Sequence, residues 1–259
     1  MRTIRSVVRS ALPSLLVGAV FLLAWELIVE WRNVQAYVLV KPSEVAKAID
    51  DHYSSIWRSA RVSGGNALVG LVIGTVLGTA VALVASAAKP LGKLINPMAT
   101  AVNAVPIVVV VAVLTRMYEA DSETPRRIMA TLVVFFVVFV NVLRGLRESS
   151  PTQLELMRSY AATPSQQFRT VRLPNAAPYL FTGIRVAAPL AVITAVVAEY
   201  FGGTKLGLGS SITTNLSTSK KDIGLAYVAG ASLLGLVFFG GAAVLEYVAV
   251  PWQRRRDSR

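Results

Sequence analysis

The chain has 259 residues, 54% of them hydrophobic and 15% charged, with a mean hydropathy of +0.57. A soluble domain carries roughly 25% charged residues, so this composition excludes an ordinary water-soluble fold. A net charge of +12 and a pI near 10.4 raise the question of nucleic acid, but the basic residues are scattered over short segments without interleaved aromatics, which excludes that class too.

Six apolar runs follow one another at 14–31, 65–88, 95–115, 127–143, 179–200 and 225–250. Each is near the roughly 20 residues that a helix needs to cross a bilayer. The valine-rich stretch Ile107–Val113 could be a buried strand in isolation, but six such runs make an all-α polytopic membrane protein with about six transmembrane helices the expected fold class. The first run follows MRTIRSVVRS and looks like a secretory signal. It ends instead in Glu26-Leu-Ile-Val-Glu30-Trp31 with no small-x-small cleavage site. The better reading is an uncleaved helix with Trp25 and Trp31 near the outer interface. His52 is expected in a solvated external connector.

The second run carries Gly70, Gly74 and Gly78 on one helical face, a spacing that lets a neighbouring backbone approach closely. The third contains Pro97, Asn103 and Pro106, which mark a kinked helix, and Asn103 and Pro106 are candidates for a translocation path. The fourth run is short and is expected to start a few residues earlier. In the fifth, Arg185 is close enough to the cytoplasmic end to snorkel to the headgroups. Glu199 and Tyr200 fall near its outer end, as a gate or as a partner for an external basic residue. The segment Gly202–Ser211 is rich in glycine, but Lys205 follows Thr204 and precedes Leu206, which is not the spacing of a phosphate loop. Ser210 to Asp222 reads as an external polar loop.

With the N-terminus placed in the cytoplasm, the inner side receives 15 basic and four acidic residues, and the outer side 11 basic and 10 acidic. The bias predicts that both termini and the segment 144–178 face the cytoplasm. The chain divides accordingly into an N-terminal segment with the first helix and connector (1–61), a core (62–252) and a basic tail (253–259).

The segment 144–178 reads RGLRESSPTQLELMRSYAATPSQQFRTVRLPNAAP. Ser150-Pro151-x-Gln153 and Thr163-Pro164-x-Gln166 both place a capping residue, a proline at the first helical position and a glutamine three residues on. Two short capped helices are therefore expected, with Leu154, Met157 and Ala161 sharing a face. There are no paired carboxylates in a plausible pocket, no metal-ligand cluster and no nucleophile with a nearby base, so the chain is not expected to be an enzyme or to bind a cofactor. The lack of cysteine removes disulfide and thiolate chemistry.

This loop resembles the signature of permease subunits of bacterial binding-protein-dependent ABC importers: E-A-A, three residues, G, nine residues, I-x-L-P. Glu155, Ala161, Val171, Leu173 and Pro174 fall in register, with Leu156, Met157 and Ala161 departing from the small residues of the pattern. Asn96-Pro97, Val105-Pro106, Asn141-x-x-x-Gly145-Leu-Arg, Leu173-Pro-x-x-x-Pro178-Tyr, Gly183-Ile-Arg, Ala198-Glu199 and Gly207-Leu-Gly209 extend the similarity to the branch that imports taurine, nitrate, aliphatic sulfonates, bicarbonate and vitamin precursors. Ala198–Gly203 and the Tyr227–Trp252 segment lean slightly toward riboflavin and pyrimidine precursors.

The resemblance implies a type I importer permease fold with a cytoplasmic coupling loop. Its implied partners are a second permease copy (a homodimer is favoured), an extracytoplasmic binding protein and two ATPases that hold the ATP and Mg. The coupling set would be Glu155, Met157, Arg158, Ala161, Thr163, Pro164, Val171, Leu173 and Pro174, with Glu155 touching the ATPase or bracing the loop through nearby arginines. A secondary transporter or channel is the rival class, and it would need coupling-ion carboxylates at mid-membrane.

Overall fold

The computed structural model describes residues 2–35, 38–87, 106–118, 122–203 and 206–251. The helices are α1 (Arg2–Trp31), α2 (Pro42–Asp51), α3 (Tyr53–Ala87), α4 (Ile107–Met117), α5 (Thr124–Arg147), α6 (Pro151–Ser159), α7 (Pro164–Gln167), α8 (Leu173–Phe201), α9 (Leu208–Ser217) and α10 (Lys221–Ala249), with a π-helical turn at Phe168–Arg172 joining α7 to α8. No strand occurs among the described residues. Four helical stretches are long and apolar enough to cross a membrane: Tyr53–Ala87, Thr124–Arg147, Pro164–Phe201 and Lys221–Ala249. Helix α1 adds 30 residues, about 45 Å at the usual helical rise. Of the third apolar run only the 11-residue α4 is described. Pro97 and Asn103 lie outside the described residues, as does the basic tail 253–259. The boundary expected at residue 62 falls inside α3.

Helices α3, α5 and α8 form the centre, and α10 packs on α8. The glycine face of α3 explains how closely α3 and α5 approach. A Cβ on Gly74 would stand 2.7 Å from the Thr131 carbonyl oxygen, and one on Gly78 2.7 Å from that of Phe135. Backbone contact of this kind needs glycine, and in a membrane it replaces the missing hydrophobic drive between helices. Val134, Val138, Val142, Leu143 and Leu146 of α5 are buried against Ala187, Ala191, Val192 and Ala195 of α8 in the same core. The opposite motifs interlock: Gly183 accepts the Asn141 side chain, and Gly145 lies under the Tyr179 ring. Helix α5 begins at Thr124, upstream of the run at 127, because Pro125 can occupy its first turn at no hydrogen-bond cost.

A second core lies at the end where α3 starts and α8 stops. Ala48 of α2, Ile56 of α3, Leu208 and Ile212 of α9, and Ala226 and Tyr227 of α10 are buried together there. Helix α2 is held on α1 by Glu26, which accepts hydrogen bonds from the Ser43 amide at 3.0 Å and the Ser43 hydroxyl at 2.6 Å. A carboxylate from one helix thus satisfies an orphan amide at the start of the next. His52 is half-buried, with Nδ1 3.2 Å from the Ala48 carbonyl oxygen, so it is packed on the end of α2 and not simply solvated.

Two expectations need correction. The fifth span starts at Pro164, not at 179: Pro164 and Pro174 occupy first helical turns, and Pro178 lies inside the helix without ending it. The Leu173 amide bonds to the Phe168 carbonyl, five residues back, so the turn widens just ahead of Pro174, where a regular turn would press the proline ring on the carbonyl four residues earlier. The polar segment after Ser210 is largely helix α9, with Leu208, Gly209, Ser210 and Ile212 buried. Arg185 is also paired: Nη1 lies 2.9 Å from Glu246 Oε2 on α10, and the Thr182 hydroxyl donates to Glu246 Oε1 at 2.7 Å.

Candidate functional site

The residues between α5 and α7 form an elbow, and its two ends are built by different means. At its base, Arg144 Nε donates to Glu148 Oε1 at 2.7 Å and the Tyr179 hydroxyl donates to Glu148 Oε2 at 2.8 Å. Asn175 Nδ2 donates to the Gly145 carbonyl at 2.8 Å. These contacts clasp the last turn of α5 to the first turns of α8. The arginine bond, and then the tyrosine bond, hold the Glu148 carboxyl below its ordinary value. Glu148 has no local sequence signal of this role, whereas Asn175 and Tyr179 sit inside the Leu173-Pro-x-x-x-Pro178-Tyr pattern.

Helix α6 itself is nine residues long and makes almost no contact with the other helices. A helix that short is marginal in water, where isolated helices need roughly 12–15 residues, so its ends must hold it. Pro151 occupies the first turn, but the Ser150 side chain makes no capping hydrogen bond. At the other end the Ala162 amide bonds to the Met157 carbonyl at 3.0 Å and the Ala161 amide to that of Arg158 at 2.9 Å. That pair of bonds closes a Schellman cap with Ala161 at φ 54°, the left-handed position that glycine usually fills. The ABC-permease signature has glycine at this place. The Thr163 cap forms as expected: the Gln166 amide donates to Thr163 Oγ1 at 3.3 Å and the Thr163 amide to Gln166 Oε1 at 2.7 Å.

The expected coupling residues therefore divide. Glu155 and Arg158 are exposed and Met157 half-buried on α6, and no hydrogen bond or ion pair joins Glu155 to the arginines among the described residues. Bracing by Glu155 is thus not seen. Ala161, Thr163 and Pro164 shape the chain between α6 and α7. Val171, Leu173 and Pro174 belong to the π turn and the start of α8, not to a loop. Leu156 (57% exposed) and Tyr160 (77% exposed) leave an apolar face of the elbow open. Leu83 and Ala87 of α3, with Pro164, Phe168 and Arg172, line a cavity of about 310 Å³.

The translocation-path candidates do not gather at the elbow. Asn103 lies outside the described residues, and Pro106 immediately precedes α4 instead of kinking it. Glu199 and Tyr200 are in the last turn of α8, at the far end of the molecule. Glu199 is fully buried, with Oε2 accepting from the Ser63 hydroxyl at 2.7 Å and the Gly209 amide at 3.1 Å. It is neither an exposed gate nor part of an ion pair with an external basic residue among the described residues. The Tyr200 carbonyl accepts from Thr213 Oγ1 at 3.1 Å. Ser63, 136 residues away in the chain, carried no signal that sequence could offer.

A helical membrane bundle with a short capped elbow between two core spans is the architecture of a transporter's membrane subunit. Residues 70–248 match the family described as the binding-protein-dependent transport system inner membrane component, and the chain belongs to that family. It is 26% identical over 248 residues to the formylaminopyrimidine transport permease protein of Halalkalibacterium halodurans, covering 95% of this chain and 98% of that one. It is 27% identical over 257 residues to the riboflavin transport system permease protein of Chloroflexus aurantiacus, covering 96% and 94%. Among solved structures, the MetNI methionine ABC transporter in an inward-facing conformation superposes with a TM-score of 0.60 at 20% identity, over 76% of this chain and 98% of that chain. The fold is that of a type I importer permease. The protein is a multi-pass inner-membrane permease subunit of an ABC importer, and it works with ATPase and substrate-binding partners.

Proposed function

We propose that two copies of this chain form the path for a small planar heterocycle, a vitamin or vitamin precursor of the flavin or pyrimidine kind. Near end-to-end similarity to the formylaminopyrimidine and riboflavin permeases supports that substrate class. Both termini and the elbow face the cytoplasm in this reading, in keeping with the excess of lysine and arginine on that side. A binding protein delivers the solute to the opposite face, where α2, α9 and the start of α10 lie.

The observation that carries the reading is α6: a short helix held only by Pro151 in its first turn and the Schellman cap at its end, clear of the bundle, with Leu156 and Tyr160 exposed beside Glu155. Such a helix gains its tertiary packing from a partner. In our reading it seats in a groove of an ATPase subunit, which also holds the ATP and Mg. Moving a two-state gate from 1:99 to 99:1 takes about 5.5 kcal/mol of differential binding. This chain has no phosphate loop of its own, since Lys205 stands between Thr204 and Leu206. Nucleotide binding on the partners supplies the difference by drawing the two elbows together, and hydrolysis releases them.

Exchange of Glu155 for arginine tests the assignment. The Glu155→Arg complex is expected to lose its ATPase subunits on purification, or to hydrolyse ATP without uptake. Normal assembly with normal uptake would refute the role given to the elbow.

A further inference from the structure

Glu199 is a buried carboxylate that the transport reading leaves without a task. Its surroundings are built around it. The N-terminus of α9 has Gly207 at the capping position, so no side chain of the local sequence satisfies the first amides. Glu199 and Ser63 do so instead. The Leu208 amide donates to Ser63 Oγ at 2.9 Å, the Ser63 hydroxyl donates to Glu199 Oε2, and the Gly209 amide donates to the same carboxylate oxygen. The approach leaves no room for a side chain. A Cβ on Gly207, at φ +122°, would fall 2.3 Å from the Glu199 carboxyl carbon, and one on Gly209 2.1 Å from the Val196 carbonyl oxygen. Arg126, itself buried, is a cation whose charge acts on the group.

Burying a carboxylate is costly unless hydrogen bonds and charge compensate it, and position 207 has no room for the side chain that would cap α9 in the ordinary way. What the remote carboxylate adds is connection. It fastens α9 to the ends of α8 and α3, not to its own flanking chain. Helix α8, with α7 and the π turn, is one continuous helical stretch from Pro164 to Phe201. Its first residue follows the Thr163 cap of the elbow, and its last turn holds Glu199. One rod therefore has the elbow at one end and the α9 platform at the other.

We propose that Glu199 is a positioning residue for transport: with Ser63 it pins α9 to the end of α8, so that a partner pressing on α9 shifts the rod that carries the elbow. This rests on the reading of the α9 face as the side that receives the binding protein.

The test uses the whole complex in lipid nanodiscs with its binding protein. Glu199→Ala and Ser63→Ala are expected to assemble and to keep basal ATP hydrolysis, while the stimulation by loaded binding protein falls about tenfold, within the usual range of coupling between sites. Glu199→Gln, which keeps an oxygen to accept both bonds, is expected to retain most of that stimulation. Hydrogen exchange at the Leu208 and Gly209 amides of the permease reads the pin independently of transport, and both alanine variants should lose protection there. Lost protection with full stimulation would overturn the proposal, as would a glutamine variant as defective as alanine. Should Glu199→Ala fail to assemble, Ser63→Ala decides by the same criterion. A wild-type complex that is not stimulated at all would instead count against the assignment of the α9 face.

Discussion

The two ends of this molecule are made on opposite principles. At the α9 end, four helices share a core of their own, a carboxylate is fully buried, and backbones meet at distances only glycine permits. At the other end, α6 projects clear of the bundle with large apolar side chains exposed, held by a clasp below and a turn at each side. The first end is complete by itself and the second is not. An apolar face on a short helix clear of the bundle marks the place where another subunit finishes the fold.

That contrast can be broken at the tight seams and sharpened at the loose one. The largest effect is expected from Gly74→Leu, whose side chain would meet the α5 backbone and Val134. Overpacking should cost about 3 kcal/mol and remove the monodisperse protein peak in detergent. Thr163→Ala removes the cap of α7 and should cost about 1 kcal/mol, read as faster amide exchange at 164–167 with the bundle core unchanged. Ala161→Gly relieves the left-handed alanine and should stabilise the elbow by about 0.5 to 1 kcal/mol, read as slower exchange at Ala161 and Ala162. The smallest effect belongs to Glu148. Its carboxyl sits below the ordinary value of 4.5 because Arg144, then Tyr179, bonds the charged form. The clasp is therefore intact above that value and is lost as the pH falls through the lowered one, which a pH series of exchange at 145–150 would register. An elbow whose exchange is unchanged across the acid range would remove the clasp from the account.

Much of this was legible in the chain because it is local. Thr163-Pro164-x-Gln166 contains its own cap, and Gly70, Gly74 and Gly78 declare a close-packed face by spacing alone. The start of α8 was not legible, since Pro174 and Pro178 carry the ordinary signal of a helix stop and only the widened turn before them cancels it. Helix α9 was hidden for the converse reason: its Ser- and Thr-rich stretch has glycine where a cap should be, and the capping carboxylate comes from another helix. Ser150, which has every local feature of a cap, makes no such bond. Local rules describe what a segment can do, and the partners across the bundle decide what it does.

The account rests on the elbow being a covered, cytoplasmic handle, and the chain offers a clean way to ask, because it contains no cysteine. Single cysteines can be placed at Glu155 on α6 and at Thr214 on α9 and labelled with a membrane-impermeant maleimide, in oriented vesicles with and without the ATPase subunits. Glu155→Cys is expected to react only from the cytoplasmic side and to be shielded when the ATPase is present, while Thr214→Cys reacts only from outside and is indifferent to it. Labelling of the α6 cysteine from outside, or equally with and without the ATPase, would contradict the account.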